Sequence, residues 1–359
     1  MKHYYILLTK KEKFILFEEK KLFNVNGNDE EKKIINANPT NVFDLYNIKY
    51  KWAIKCWDNM IANFWVPEKS SMANDKNSYL QLSEKEQEAF LKILSFLIFL
   101  DSIQTNNIPN ISNYITASEV TLALSMQTFT EGLHSKSYGY ILTSIFDKAT
   151  AEKAIYYWKD DNVLKERNSF IAQIYQDFKD NPSDKGFVKV IIANYILEGL
   201  YFYNGFNFFY NLGSRGFMTD TVTQIKYINR DELVHCNLFR HIINSLREEE
   251  PKLFKEMEDE IYEMFKNAVE QEIKFSNHII GNDILGMTEE SIVDYTHYIA
   301  NQRLKAIKLE EIFPKAKNPY KHLETLAGIE HEGTSKSNIF EVQSIAYKQA
   351  NILSGWDDL

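Results

Sequence analysis

Cysteine is almost absent from this chain: there are two in 359 residues, Cys56 and Cys236. That excludes a disulfide framework and any thiolate-rich metal site, and both thiols fall in apolar-patterned segments that read as buried and reduced. Glycine and proline are also scarce, at 13 and 7. So little punctuation favours long helices over many short strands. No hydrophobic run is long enough to cross a bilayer. The greasiest stretch, FLKILSFLIFL at 90–100, is broken by Lys92 and Ser95 and falls short of the ~20 residues a span needs. The opening MKHYYILLTKKEK returns to charge too soon for a secretory signal. There is no long basic run, and the formal net charge is −9, which argues against nucleic-acid binding. The expectation is a soluble cytoplasmic protein that engages neither nucleic acid nor membrane.

What is present is helical pattern. Residues 1–40 are rich in Lys and Asn and read as an arm, either a short hairpin or irregular. Helical patterning runs from about 41 to 65 and breaks at Pro67. Ser83 and Glu86 form a capping box, opening a helix expected to stop near 107, before Pro109. Further helices are expected over about 118–146, 186–211, 219–250, 252–280 and 288–313. Between 147 and 185 only a loop-flanked segment is legible, with NPSDKG at 181–186 as turn chemistry. After Pro314 the pattern fades, so 315–359 reads as a flexible tail behind one all-α domain over 41–314.

Four of these helices carry acid where their apolar stripe should continue. Asp101 shares a stripe with Phe90, Leu94 and Leu97, and Glu198 lies on a face with Ile191, Tyr195 and Phe202. Glu131 and His134 stand in TFTEGLHSKSYGY, and Glu232 and His235 in INRDELVHCNLF. Helical offsets of three and four place such pairs on one face. A buried carboxylate is costly unless it is paired or metal-bound, and two imidazoles cannot neutralise four acids. Divalent cations would. A lone Glu-x-x-His is commonly a solvated face, and Asp294-Tyr-Thr-His297 is read that way. Two of them, interleaved with single acids on four apolar helices, match the ligand set of ferritin-like dinuclear bundles. Mixed oxygen and imidazole ligation suits iron or manganese. Spacing alone leaves the reaction open: such sites store iron, oxygenate hydrocarbons, desaturate acyl chains or generate radicals. Tyr138, one turn beyond His134, lies on the ligand face, with Phe202, Phe206 and Ile228 expected to line the space near it.

From about Asn41 onward the chain resembles the small, radical-carrying subunit of class I ribonucleotide reductase. The resemblance is carried by LDSIQTN at 100–106, TEGLHSKSY at 130–138, LEGLYFY at 197–203 and RDELVH at 230–235. It implies a ferritin-like bundle in which Asp101, Glu131, His134, Glu198, Glu232 and His235 hold two iron ions, with manganese or a mixed pair as alternatives. It further implies that Tyr138 carries a stable radical, that Trp65 and Asp231 lie on its transfer route, and that Tyr347 in the tail relays it to a separate large subunit docked by the C-terminal SGWDDL. A homodimer is implied as well. Gln127 replaces the Trp found in some members and should donate a hydrogen bond toward a ligand carboxylate.

Overall fold

The computed structural model describes residues 17–324. The ordered core begins with α1 (Lys51–Ala62), α2 (Asp75–Tyr79), α3 (Glu84–Ser112) and α4 (Ser118–Ile145). It continues through α5 (Lys148–Tyr156), α6 (Asn162–Asp180), α7 (Asp184–Ile196), α8 (Tyr203–Ser214) and α9 (Thr219–Glu249). It closes with α10 (Pro251–Ile279), α11 (Glu289–Ala306) and the short α12 (Lys321–Glu324). The described residues contain no strand, so the all-α expectation holds.

The central layer is α3, α4, α7 and α9; three of these carry the misplaced acids Asp101, Glu131 and Glu232, and Glu198 lies just beyond α7. α1 packs on α4 and α9, while α6 and α10 back α7 and α11 packs on α10 and on the 197–201 turn. α3 begins where the capping box predicts: Ser83 Oγ accepts from the Glu86 amide at 3.3 Å, and the Glu86 carboxylate accepts from the Ser83 amide at 2.9 Å. No described helix is long and apolar enough to cross a membrane.

Several expected boundaries shift. Pro109 does not end α3, which continues to Ser112. Proline removes only the N–H that would reach the Thr105 carbonyl, and fully buried Ile108 and Ile111 on either side hold one more turn in place. α1 starts at Lys51 rather than near 41, because 17–50 is irregular chain laid over the bundle. Buried Ile34 and Ile35 anchor it. Lys32 bonds Glu119 at 3.1 Å, and the Ile34 amide donates to Glu249 at 2.8 Å. Of the two forms considered for the arm, the irregular one is found among residues 17–40. The segment after 146 holds two helices, capped by Asp147 on the Thr150 amide and by Asp161 on the Val163 and Leu164 amides.

The expected single helix over 186–211 is interrupted at its middle. Leu197–Tyr201 forms a π-helical turn between α7 and α8, one residue wider per turn than its neighbours. Glu198 sits inside that turn.

Ser83→Ala removes one side of the capping box while leaving the core intact. It should destabilise the protein by about 0.5–2 kcal/mol, read as a lower midpoint in denaturant at unchanged slope.

Candidate metal centre

The bundle brings all six candidate ligands to one fully buried place: Asp101 from α3, Glu131 and His134 from α4, Glu198 from the π-turn, Glu232 and His235 from α9. Their donor atoms fall into two overlapping groups, each with its members within 4.8 Å of one another. Asp101, Glu131, His134 and Glu232 make one; Glu131, Glu198, Glu232 and His235 make the other. Glu131 and Glu232 belong to both, an arrangement that fits two ions sharing two carboxylates.

The imidazoles are oriented alike. His134 turns Nδ1 inward, 2.9 Å from Glu232 Oε1 and 3.8 Å from both Asp101 and Glu131. Its Nε2 points out to Asp231 Oδ2 at 3.3 Å. His235 turns Nδ1 toward Glu131 and Glu232, each at 3.0 Å, and Nε2 toward Thr130 Oγ1 at 2.7 Å. Thr130 spends its own hydroxyl proton on the Gln127 carbonyl at 2.9 Å, so the ring must donate from Nε2. In the neutral ring that leaves Nδ1 as the lone-pair atom facing the acids, the tautomer a metal ligand needs.

Several inward-facing atoms have no hydrogen-bond partner: both Asp101 oxygens, Glu131 Oε2, Glu198 Oε2, Glu232 Oε1 and His134 Nδ1. His134 Nδ1 and Glu232 Oε1 are close without the alignment of a hydrogen bond. Buried polar atoms are rarely left so, and here the orphans converge on the cluster. Charge says the same. Burial, and then Glu232 and Glu131, push the Asp101 carboxyl well above its usual range. Burial, then Glu131 and Glu232, do the same to Glu198. Burial would lower the His235 ring, yet Glu131 and Glu232 outweigh it and hold it up at about 10. The cluster without cations must therefore gather protons. Two divalent ions would balance the four carboxylates with both rings neutral. The residues present fit a dinuclear centre.

Amides brace the acids from outside. Glu198 Oε1 accepts from Gln104, from Gln127 at 2.8 Å and from Asn194 at 3.4 Å. Gln127 also donates to Glu131 at 3.2 Å, as expected of it. Tyr175 donates to Gln104 at 2.8 Å. Sequence reasoning missed Gln104, Asn194 and Thr130, although Gln104 lies one turn after Asp101 and Asn194 one turn before Glu198.

Tyr138 is fully buried, and its hydroxyl lies against Asp101 without completing a hydrogen bond. Burial, then the charges of Asp101 and Glu232, push its phenol well above its ordinary range, so it stays protonated. Phe202, Phe206 and Ile228 are buried as expected. Trp65, 8 % exposed, donates from Nε1 to Asp231 Oδ2 at 2.8 Å. Its ring lies 6.3 Å from that of His134, so one carboxylate oxygen joins the indole to the imidazole. Asp294 and His297 stand apart from the cluster; the His297 ring stacks on Phe313 at 4.2 Å. Cys56 and Cys236 are buried free thiols, and Tyr347 lies outside the described residues.

Glu198→Gln tests the charge argument. The amide oxygen can still accept from the three amides, and the new NH2 replaces an orphaned oxygen beside two carboxylates. An acid whose folded pKa is raised makes the native state bind more protons than the unfolded chain, so it destabilises progressively as pH rises above ~4.3. The metal-free variant should therefore be more stable than the parent by about 1–3 kcal/mol at pH 8, with the gain shrinking toward pH 5, while it takes up metal more weakly. Thermal melts at the two pH values and a metal titration read both effects.

Comparison with known proteins agrees with this geometry. Residues 42–319 match the family model described as ribonucleotide reductase, small chain. The chain is 40% identical over 347 residues to the ribonucleoside-diphosphate reductase subunit beta of Treponema pallidum, covering 96% of this chain and 98% of that one. The counterpart in Halalkalibacterium halodurans is 38% identical over 344 residues, with 95% and 99% covered. Among solved structures, the ribonucleotide reductase R2 subunit from Clostridium botulinum superposes with a TM-score of 0.85 at 43% identity, over 87% of this chain and 99% of that one. With full-length relatives, a matching fold and a ligand cluster on the expected helices, the chain belongs to the family of ribonucleotide reductase small chains.

Proposed function

We propose that Asp101, Glu131, His134, Glu198, Glu232 and His235 hold two iron ions and that Tyr138 stores a one-electron oxidising equivalent beside them. The observation that carries this reading is the pair of overlapping ligand groups sharing Glu131 and Glu232. Manganese, alone or paired with iron, satisfies the same oxygen and imidazole set. When bound, the reduced ions supply oxygen activation and the oxidising power the side chains lack.

The side chains do the rest. Tyr138 gives up an electron and its phenolic proton, and Asp101 is the carboxylate facing that proton. Burial of Phe202, Phe206 and Ile228 in the same region keeps water and reductants from the phenoxyl. Asp231 fixes the His134 ring and accepts from the Trp65 indole, so a proton can shift along the same contacts as an electron moves inward and the oxidising equivalent moves out. Arg230 adds a second hold on Asp231 at 3.3 Å. The oxidising equivalent then passes through Trp65, and through Tyr347 in the C-terminal segment, to a cysteine of a separate large subunit that reduces ribonucleotides. On this reading 1–40 is an arm, 41–314 the radical-generating unit and 315–359 the segment that docks on the large subunit, in the cytoplasm. A homodimer is supported by the exposed apolar Ile61 of α1, Phe64 just beyond its end and Phe129 of α4, with the two phenyl rings 6.0 Å apart.

Two experiments test this. After addition of ferrous ion and oxygen, the parent should give a tyrosyl signal by electron paramagnetic resonance, whereas Tyr138→Phe should give none while taking up the same amount of metal. An unchanged signal in that variant would move the radical elsewhere. Trp65→Phe and Asp231→Asn should keep most of the radical yet lower turnover with the large subunit by a factor of at least ~100, the scale on which positioned proton-transfer groups act. Turnover at the parental rate in both would remove them from the route.

A further inference from the structure

Glu198 is the one candidate ligand carried on irregular helix, and the reason that turn keeps its shape lies on the side away from the cluster. Arg303 of α11 donates from Nε to the Gly199 carbonyl at 2.7 Å. Arg167 of α6 donates from its guanidinium to the Tyr201 carbonyl at 2.8 Å. Both arginines are buried, at 0 % and 1 % exposure. Bringing a guanidinium into a core is expensive, and each is supported where it sits. Arg167 pairs with Glu272 of α10 and stacks on Phe96, Tyr201 and Phe275 at 4.0–4.2 Å. Glu272 in turn accepts from Asn204 and Ser276, each at 3.0 Å. Arg303 lies 5.0 Å over the Tyr203 ring.

Gly199 is an independent sign of the same design. A Cβ there would stand 2.8 Å from Arg303 Nε, 2.9 Å from its Cδ and 3.1 Å from Cys236 Sγ. The backbone carries no positive φ at this position, so glycine is present for close approach rather than for conformation. A π-turn shifts the helical register by one residue, and its carbonyls lose the regular i+4 amide geometry. Donors fixed from outside can hold that shift. Were the turn to relax to α-helix, the inserted residue would rotate Glu198 by roughly 100° about the helix axis relative to α8, carrying it off the cluster face.

We infer that Arg167 and Arg303 are positioning residues for Glu198: by bonding the Tyr201 and Gly199 carbonyls they lock the π-turn and so complete the second of the two ligand groups. This rests on the dinuclear reading above. It assigns a role in metal retention to two residues 34 and 104 positions from the carbonyls they hold, neither of which touches the cluster.

The test is an anaerobic ferrous titration of the metal-free, full-length protein, with the thermal midpoint measured alongside. The parent should take up two equivalents. Arg303→Met removes the donor, and Gly199→Ala keeps every polar group but pushes the guanidinium away. Both should bind one equivalent with near-parental affinity and the second 10–100-fold more weakly, the range seen when a group orienting a ligand is lost. Arg303→Lys, which keeps the charge and some reach, should recover part of the second site. Ile261→Val in α10, a core change of about 1 kcal/mol, is the control for stability alone and should bind two equivalents as the parent does. If Arg303→Met and Gly199→Ala melt lower but still bind two equivalents with parental affinity, the arginines are structural and the inference is overturned. A parent that takes up fewer than two equivalents overturns the dinuclear reading and this inference together.

Discussion

Everything in this protein answers to four carboxylates buried within a few ångströms of each other. No arrangement of the two neighbouring imidazoles can neutralise them, and among the described residues no lysine or arginine pairs with them. Left alone, Asp101 and Glu198 rise toward protonation and His235 is held cationic. The fold thus tolerates a locally unfavourable core because the favourable state includes something the polypeptide does not supply. Stability and function are opposed at these positions, as is common where a site is built for a ligand.

The surroundings limit that tension without removing it. Amides from Gln104, Gln127 and Asn194 are gathered on one oxygen of Glu198, leaving the other free for the centre. Thr130 and Asp231 take the outer nitrogens of the two histidines, so both rings face inward with the same atom. The polar groups are therefore largely sorted: outward atoms are bonded, while both Asp101 oxygens, Glu131 Oε2, Glu198 Oε2, Glu232 Oε1 and His134 Nδ1 on the inside have no partner. A core that merely tolerated stray acids would show no such division.

Much of this was legible in the sequence because helical periodicity makes a misplaced acid conspicuous. The two Glu-x-x-His pairs, Asp101 and Glu198 stood out against apolar stripes, and the capping box at Ser83 fixed where α3 begins. The spacing could not show the π-turn, since LEGLYFY scans as ordinary helix and its irregularity comes from arginines far along the chain. Pro109 misled for a related reason: a local breaker was outweighed by Ile108 and Ile111, whose burial is a tertiary fact. α5 and α6 were missed although Asp147 and Asp161 are plain caps and Leu164, Ile171 and Phe178 repeat every seven residues. The irregular course of 17–50 over the bundle is held by Glu119 and Glu249, partners no local pattern reveals. The role proposed for Tyr138 rests on the resemblance of the surrounding sequence to the family, whereas geometry places the residue only beside Asp101.

The bond from Arg303 to the Gly199 carbonyl also bears on the order of events during synthesis. Every candidate ligand lies between residues 101 and 235, so a growing chain exposes the whole acidic set well before α11 emerges. The turn under Glu198 acquires its distant brace only once residue 303 has left the ribosome and docked. Until then the second half of the pocket lacks a fixed wall. On the proposed role of Arg303, the second ligand group is completed only after α11 docks, and a chain truncated before residue 303 is expected to hold metal more weakly.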